Sequence, residues 1–314
     1  MKRTERNTYQ LQLLATLLLL ITAFVLSACS SDDPIPTPNN APDSEILMDA
    51  NVWQVMEGTR ATTFDGTSDL QSLAHFYCAV YNAGTLTPYF TPGQVSYSES
   101  QWTFDSGKHY WPAEGSLDFF AYAPYGGVSY ISDLTYAATP NLTFNCALPM
   151  TNAEQADNVL EEFVYDIKNG RNKSNSASGV TLSFQHPFAR IKLQLSSTQT
   201  AIHINTITLK SIKNNGSYSH TSGWTPSDPA TNFVATLNGD CEANDDLGTY
   251  IMIPQSWAGE IEVEAVWNVW GESKTNTVTA TVPTTWLAGH SYTYTFTISE
   301  TDLKVDTEKF TEQW

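Results

Sequence analysis

The side chains that could do chemistry are scattered through this sequence. The histidines lie far apart, and no two cysteines have the spacing of a zinc-binding pair. The sequence contains no HExxH or GxSxG motif and no phosphate-binding glycine loop. No pair of carboxylates stands out as the acid and base of a glycoside hydrolase. The sequence therefore predicts a protein that is not an enzyme and that carries no cofactor or catalytic metal.

One acidic loop has the side chains of a calcium site. Carboxylates and an amide cluster between positions 240 and 246, at Asp240, Glu242, Asn244, Asp245 and Asp246. Their spacing lacks the glycine at position six and the glutamate at position twelve of an EF-hand loop. A solvated acidic turn is therefore the favoured interpretation, and Ca²⁺ binding is the alternative.

Cys29 follows a sequence that is typical of a site of lipid attachment. A basic start is followed by an apolar run over residues 11–26 and then by Leu26-Ser27-Ala28. This order is typical of a secretory signal peptide, although an apolar run of this length also suits a membrane helix. Small residues directly before a cysteine resemble the bacterial lipobox, in which the thiol is acylated. We predict a signal peptide over residues 1–28 and lipid attachment at Cys29.

The next segment has the composition of a tether. Residues 29–45 are polar and contain four prolines, which keep a linker extended. Ser30-Ser31-Asp32-Asp33 resembles the acidic export signal of Bacteroidetes surface lipoproteins, and an ordinary solvated linker is the alternative. The predicted location is the outer face of the outer membrane, to which the lipid on Cys29 holds the protein.

Composition excludes several other classes. The 314 residues carry a formal charge of −18, and only 15% of them are charged. Nucleic-acid partners are excluded because affinity for phosphates depends on Lys and Arg. Aromatic residues make up 12% of the chain, which is enough to build a core rather than a disordered chain. The length suggests two domains.

Alternation of apolar and polar residues is the main structural signal. Short runs rich in Val, Ile, Thr, Tyr and Phe are separated by Gly, Pro and Asn, which predicts an all-β fold. The predicted strands are 51–57, 74–82, 101–104, 117–123, 142–145, 179–185, 188–196, 201–213, 232–237, 249–253, 260–268, 276–282 and 291–299. In the strand 188–196 we expect Ile191, Leu193 and Leu195 to point inward and Arg190 to point outward.

One segment interrupts this pattern. Apolar residues in 152–168 recur at three- and four-residue steps, which predicts either a short acidic helix or a long connection. A Gly/Ser/Asn-rich stretch, 169–179, follows it and is the best interior linker. We therefore place the domain boundary at 175/176, giving β-sandwich domains over 46–175 and 176–314.

Two further residue sets leave alternatives open. Cys78, Cys146 and Cys241 are an odd number in a compartment that permits disulfides, so the sequence fixes no pairing. Trp224 lies in the turn-rich stretch Gly223-Trp224-Thr225-Pro226 and is the best candidate for an exposed platform that binds glycans.

Several motifs spread along the chain resemble the Bacteroidales fimbrillins, the subunits of type V pili. Besides the lipoprotein signal, they are Gly58-Thr59-Arg60-Ala61-Thr62, Tyr110-Trp111-Pro112-Ala113, Phe119-Phe120-Ala121-Tyr122, Phe184-Gln185-His186-Pro187-Phe188-Ala189-Arg190-Ile191, Ile253-Pro254-Gln255 and Trp286-Leu287-Ala288-Gly289-His290. Each motif is weak alone, and the combination is fairly specific.

The resemblance implies a fold and an assembly mechanism. It implies two tandem transthyretin-like, Greek-key β-sandwiches. It also implies that a trypsin-like protease cuts between Arg60 and Ala61, that the preceding strand leaves, and that a strand of a neighbouring subunit fills the groove. Donor candidates are the C-terminal residues Leu303, Val305, Phe310 and Trp314, and pairing of this stretch within its own domain is the alternative.

Two functions of different classes follow. The first is a structural or tip subunit of a surface fimbrium, whose partners are neighbouring fimbrillin subunits and possible surface ligands. The second is a monomeric, lipid-anchored protein that binds glycans of the host or of bacterial surfaces through Trp224.

Overall fold

The structure is a computed structural model that describes residues 44–52, 67–137, 141–156, 160–198, 202–269, 272–299 and 302–313. Several predictions fall on residues outside these ranges. They are the signal peptide, nearly all of the tether, Cys29, Arg60, Ala61 and Trp314.

Strands make up most of the described residues, and helix is almost absent from them, which confirms the all-β prediction. One short helix, α1, spans Thr67–Leu73. The strands are β1 (Met48–Val52), β2 (His75–Asn82), β3 (Gly93–Ser98), β4 (Gln101–Phe104), β5 (Leu117–Ala123), β6 (Ile131–Ala137), β7 (Asn141–Ala147), β8 (Val164–Arg171), β9 (Val180–Phe184), β10 (Ala189–Thr198), β11 (Ile202–Ile212), β12 (Asn215–Ser219), β13 (Gly223–Ser227), β14 (Thr231–Cys241), β15 (Asp246–Met252), β16 (Ser256–Trp257), β17 (Glu260–Val269), β18 (Glu272–Thr281), β19 (Thr284–Thr285), β20 (His290–Ile298) and β21 (Leu303–Gln313).

The N-terminal half is built on one seven-stranded sheet. Its order is β8-β5-β2-β3-β4-β1-β9, and an isolated bridge between Tyr165 and Gln185 joins the two outermost strands. The sheet therefore curls back on itself around an apolar core to which Phe76, Leu117 and Phe184 contribute. Strand β1 lies inside this closed arrangement rather than at a free edge.

Two four-stranded sheets enclose the core of the C-terminal half. Their orders are β15-β10-β20-β21 and β14-β11-β17-β18. Strand β17 shows why these sheets enclose a core. Ile261, Val263 and Ala265 are buried, whereas the glutamates between them are half-buried on the other face. This alternation is the signature of a strand with one face in the core and one toward water.

A third core lies under a sheet built from both halves of the sequence. Its order is β13-β12-β7-β6, so two strands come from each side of the predicted boundary. Strand β9 likewise pairs with β1 in the N-terminal sheet, although the boundary at 175/176 assigned it to the second domain. Pairing between strands and isolated bridges thus crosses that boundary at several places, and the division into two tandem domains stays a prediction.

Two local predictions are met in part. Of the two alternatives for 152–168, the described residues favour the connection, since 151–156 form turns and 164–168 belong to β8. Arg190 points away from the C-terminal core as expected, yet it is buried, because the other face of β10 is also covered. Sequence alternation alone does not reveal such a cover.

Among the described residues, no helix has the length and hydrophobicity of a membrane span.

A glycine in the C-terminal core has no room for a side chain. A Cβ at Gly259 would collide with the backbone oxygen of Lys210 and with the indole of Trp257. Those two groups cannot move apart freely, because Trp257 Nε1 donates to Lys210 O over 2.7 Å. We expect Gly259→Ala to lower the free energy of unfolding by about 2 kcal/mol, measured by urea denaturation.

The matched control is Gly239→Ala, since the nearest atom to its added Cβ is Leu237 O at 3.7 Å. Equal unfolding midpoints for the two variants would contradict the steric explanation.

Candidate strand-exchange site

The backbone of β1 is paired along its whole length on one side only. It pairs in parallel with β9 along its whole length, from Met48 opposite Val180 to Val52 opposite Phe184. On its other side the register with β4 consists of Met48 opposite Trp102. Release of β1 therefore breaks one continuous set of backbone hydrogen bonds, and the neighbouring strands β4 and β9 would remain as the two walls of a groove.

The side chains of β1 and of the residues before it fill the core of the N-terminal sheet. Ile46, Met48, Ala50 and Val52 are all buried, and Leu47 and Asp49 between them are exposed. Full burial of an aliphatic side chain stabilises by about 1.5–3 kcal/mol. A replacement strand would consequently need apolar side chains at every second position.

The prediction placed the first strand at 51–57. The described strand begins earlier and shares only residues 51 and 52 with it, and residues 53–57 lie outside the described ranges. The alternation at 46, 48, 50 and 52 was the signal that identifies this strand.

A short antiparallel clamp holds the segment that leads into β1. Ile46 N donates to His109 O over 2.7 Å, and Trp111 N donates to Ser44 O over 3.1 Å. The His109 ring stacks on Phe90 with centroids 3.6 Å apart, and burial lowers the pKa of His109. The clamp thus fixes where the chain enters the sheet.

Strand β9, the main partner of β1, has a second attachment. The backbones of Tyr165 and Gln185 exchange two hydrogen bonds, which tie β9 to β8. The buried carboxylate of Asp166 accepts from Ser183 N over 2.7 Å and contacts Lys168 Nζ at 2.9 Å. Burial raises the pKa of Asp166 above its usual value. These contacts are independent of β1, so β9 keeps a partner without it.

The C-terminal stretch forms the edge strand β21 in the same chain. It pairs antiparallel with β20 from Leu303 opposite Ile298 to Phe310 opposite Ser291 and, past a bulge, to Gln313 opposite His290. Leu303 is buried and Val305 is half-buried against the C-terminal core. The intradomain pairing left open by the sequence is therefore present in this structure, and Trp314 lies outside the described residues.

Trp224 is not the exposed platform that the sequence suggested. Its ring is half-buried against Phe144, Phe188 and Tyr218, and its indole N–H donates to the backbone oxygen of Pro187. The sequence suggested an exposed turn at Trp224. In the structure, β12 and β13 form a hairpin that pairs with β7, and the ring packs on the third core. Glycan binding by this residue stays a prediction, without support from its exposure.

The carboxylates of the acidic loop contact separate local partners. Asp240 contacts His203 Nδ1 at 2.7 Å, Asp245 accepts from Glu242 N, and Asp246 lies 3.5 Å from Lys192 Nζ. Within the described residues there is no group of three or more acidic, histidine or cysteine side chains arranged for a metal. This arrangement is that of a solvated, hydrogen-bonded turn.

The cysteines of the body are free thiols. Cys78, Cys146 and Cys241 are all buried and none is in a disulfide. Burial raises the pKa of each thiol, which makes them unreactive packing residues.

No pattern in the sequence predicts the buried contact between Glu162 and His186. Both side chains are fully buried, and His186 Nδ1 lies 2.9 Å from Glu162 Oε1. Glu162 ends the long connection before β8, and His186 precedes β10, so the pair joins two connections that are distant in sequence. Only their position in the third core brings these residues together.

The fold resembles solved structures of proteins from Bacteroides species. A Bacteroides ovatus protein described as a candidate cell adhesion protein is 18% identical, with a TM-score of 0.56 over 86% of this chain and 98% of that one. A second such protein, from Bacteroides uniformis, is 17% identical, with a TM-score of 0.53 over 85% and 99% of the two chains. At these identities the likeness concerns the fold. No curated protein matches the sequence.

The family model described as fimbrillin-like matches residues 59–314. The chain therefore belongs to the fimbrillin-like family. Membership supports a role as a fimbrial subunit or adhesin at the cell surface, in a structural rather than an enzymatic family. The resemblance identified from the motifs is confirmed.

Proposed function

We propose that this protein is made as a lipoprotein precursor, cut after Arg60 and polymerised into a fimbrium by donor-strand exchange. In this mechanism β1 leaves, and a strand from a neighbouring subunit takes its place between β4 and β9. The lipid on Cys29 holds the precursor at the outer membrane until the cut separates residues 29–60 from the body.

The observation that carries the proposal is the attachment of β1. It is a five-residue strand with buried alternate side chains and one complete ladder, inside a sheet whose other strands are joined independently of it. Its loss would expose apolar surface and unpaired backbone groups, which strongly favours capture of another strand.

The arginine content supports the choice of cleavage position. After residue 28 the sequence contains arginine only at positions 60, 171 and 190. Arg171 ends β8, and Arg190 is buried within β10, so strand pairing protects both. Arg60 lies eight positions after the last residue of β1. Gly58 and Thr59 come directly before it, a composition that suits a protease-sensitive loop.

We propose the segment 303–314 as the donor. Strand β21 has one hydrogen-bonded neighbour, so its release breaks a single ladder. Leu303 and Val305 occur at alternate positions and match the spacing of the side chains that β1 buries. The role of stalk, anchor or tip subunit is not assigned.

The test is to incubate the purified precursor with an arginine-specific protease. We expect one cut, after Arg60, followed by oligomers that resist SDS. Arg60→Ala should prevent both events, and Arg171→Ala is the matched control that should behave like the unmodified chain. Cleavage without oligomers, or oligomers from Arg60→Ala, would overturn the mechanism.

A further inference from the structure

Among the described residues, one edge strand of the C-terminal sandwich, β18, has a pairing strand on one side only. Strand β18 is the outermost strand of its sheet and pairs with β17 over ten register positions. In the part of the chain that the structure describes, no strand pairs with its other side. An unpaired edge of this length is a template for another strand unless the protein protects it.

The other edges of the same sandwich are protected. Asn152 exchanges two hydrogen bonds with the backbone of Thr236 on β14, through its side-chain amide. Gln155 does the same for Ile251 on β15. Strand β21 carries charges along its length, at Lys304, Asp306, Glu308 and Lys309. In the described part of the chain, the further strand that comes close to β18 is β21 of the facing sheet, which does not pair with it.

The phase of the β17–β18 ladder shows which backbone groups point outward. Val282 N donates to Gly259 O just beyond the strand, so even-numbered residues of β18 bond toward β17. The outward N–H and C=O groups then belong to odd-numbered residues, which are Thr275, Thr277, Thr279 and Thr281. Their side chains are exposed, and residues 275–281 carry no charge.

The threonines of this stretch are placed symmetrically about Val278. Thr277 and Thr279 flank it at equal distance, and Thr275 and Thr281 do so one step further out. We propose that β18 pairs antiparallel with the β18 of a second copy of this chain, about a two-fold axis at Val278. Thr277 of one copy then faces Thr279 of the other, and Thr275 faces Thr281, so every outward N–H meets an outward C=O.

Charge and chain direction agree with this register. Cross-strand threonine pairs stabilise sheets, and Pro283 ends the ladder because it has no N–H. The half-buried glutamates of β17 would lie three strand spacings, about 14 Å, from those of the second copy. That distance exceeds the screening length of about 8 Å at physiological salt. Lys210 also contacts Glu262 at 2.6 Å and Glu260 at 3.7 Å within each copy.

The test uses charges placed at the two positions that face each other. The chain purified from cells is studied by analytical ultracentrifugation over a concentration series, with circular dichroism to check the fold. We expect a reversible dimer. Thr277→Lys with Thr279→Lys puts lysine opposite lysine twice and should raise the dissociation constant by about tenfold.

The register is tested by Thr277→Lys with Thr279→Glu, which puts lysine opposite glutamate and should restore dimerisation. Gln101→Lys with Thr103→Lys is the control, since both residues are exposed on the interior strand β4 at the same spacing. The inference fails if the unmodified chain stays monomeric, or if the two β18 variants associate equally. Strand exchange through β1 is unaffected by either outcome.

Discussion

A disulfide that ties β1 to β9 is expected to abolish oligomer formation while leaving cleavage after Arg60 intact. Asp49 and Thr181 are directly paired in the parallel ladder, and both are exposed. Adjacent strands lie about 4.8 Å apart, which is within the Cα separation that a disulfide accepts. The double variant Asp49→Cys with Thr181→Cys should therefore lock the strand in place without disturbing the core.

The locked variant separates strand release from proteolysis. After treatment with the arginine-specific protease, its oxidised form should give no SDS-resistant oligomers, and reduction should restore them. Asp49→Cys alone is the control, and the buried native thiols are poor competitors for oxidation. Equal oligomer yields from the oxidised and reduced double variant would show that β1 does not need to leave.

The second large effect is expected at the buried pair of Glu162 and His186. Removal of one partner of a buried hydrogen bond costs about 1–3 kcal/mol, and more where a charged group takes part. Glu162→Ala should lower the free energy of unfolding by that amount, since Glu162 Oε1 lies 2.9 Å from His186 Nδ1 and neither side chain is exposed.

The neighbouring residue provides a matched control. Glu161 is exposed, so Glu161→Ala should change the free energy of unfolding by less than about 0.5 kcal/mol. Urea denaturation of the two variants measures the difference. If Glu162→Ala unfolds at the same urea concentration as Glu161→Ala, the pair makes no net contribution to stability.

Strands with clean alternation were predictable from their residues. The prediction 101–104 coincides with β4, whose apolar side chains alternate, and 117–123 coincides with β5, a short apolar run that is buried almost throughout. The hairpin strands β12 and β13 were missed, because their short polar residues look like a turn. Trp224 was misjudged for the same reason, since only the packing of that hairpin on β7 covers its ring.

The sequence by itself determined the class of fold and the family, and it pointed to the residues on which the proposed assembly mechanism depends. These conclusions depend on local properties: the alternation of side chains, the composition of the leader, and short motifs read along one chain. They need no knowledge of which segments meet.

Only the tertiary structure decided the contacts between distant segments. It pairs β1 with β9, brings Glu162 to His186 and, in the described residues, leaves one side of β18 without a pairing strand. Each of these depends on the order of strands in a sheet, and many orders satisfy the same alternation. Strand order is selected by the packing of whole cores, which is why it cannot be read from any one segment.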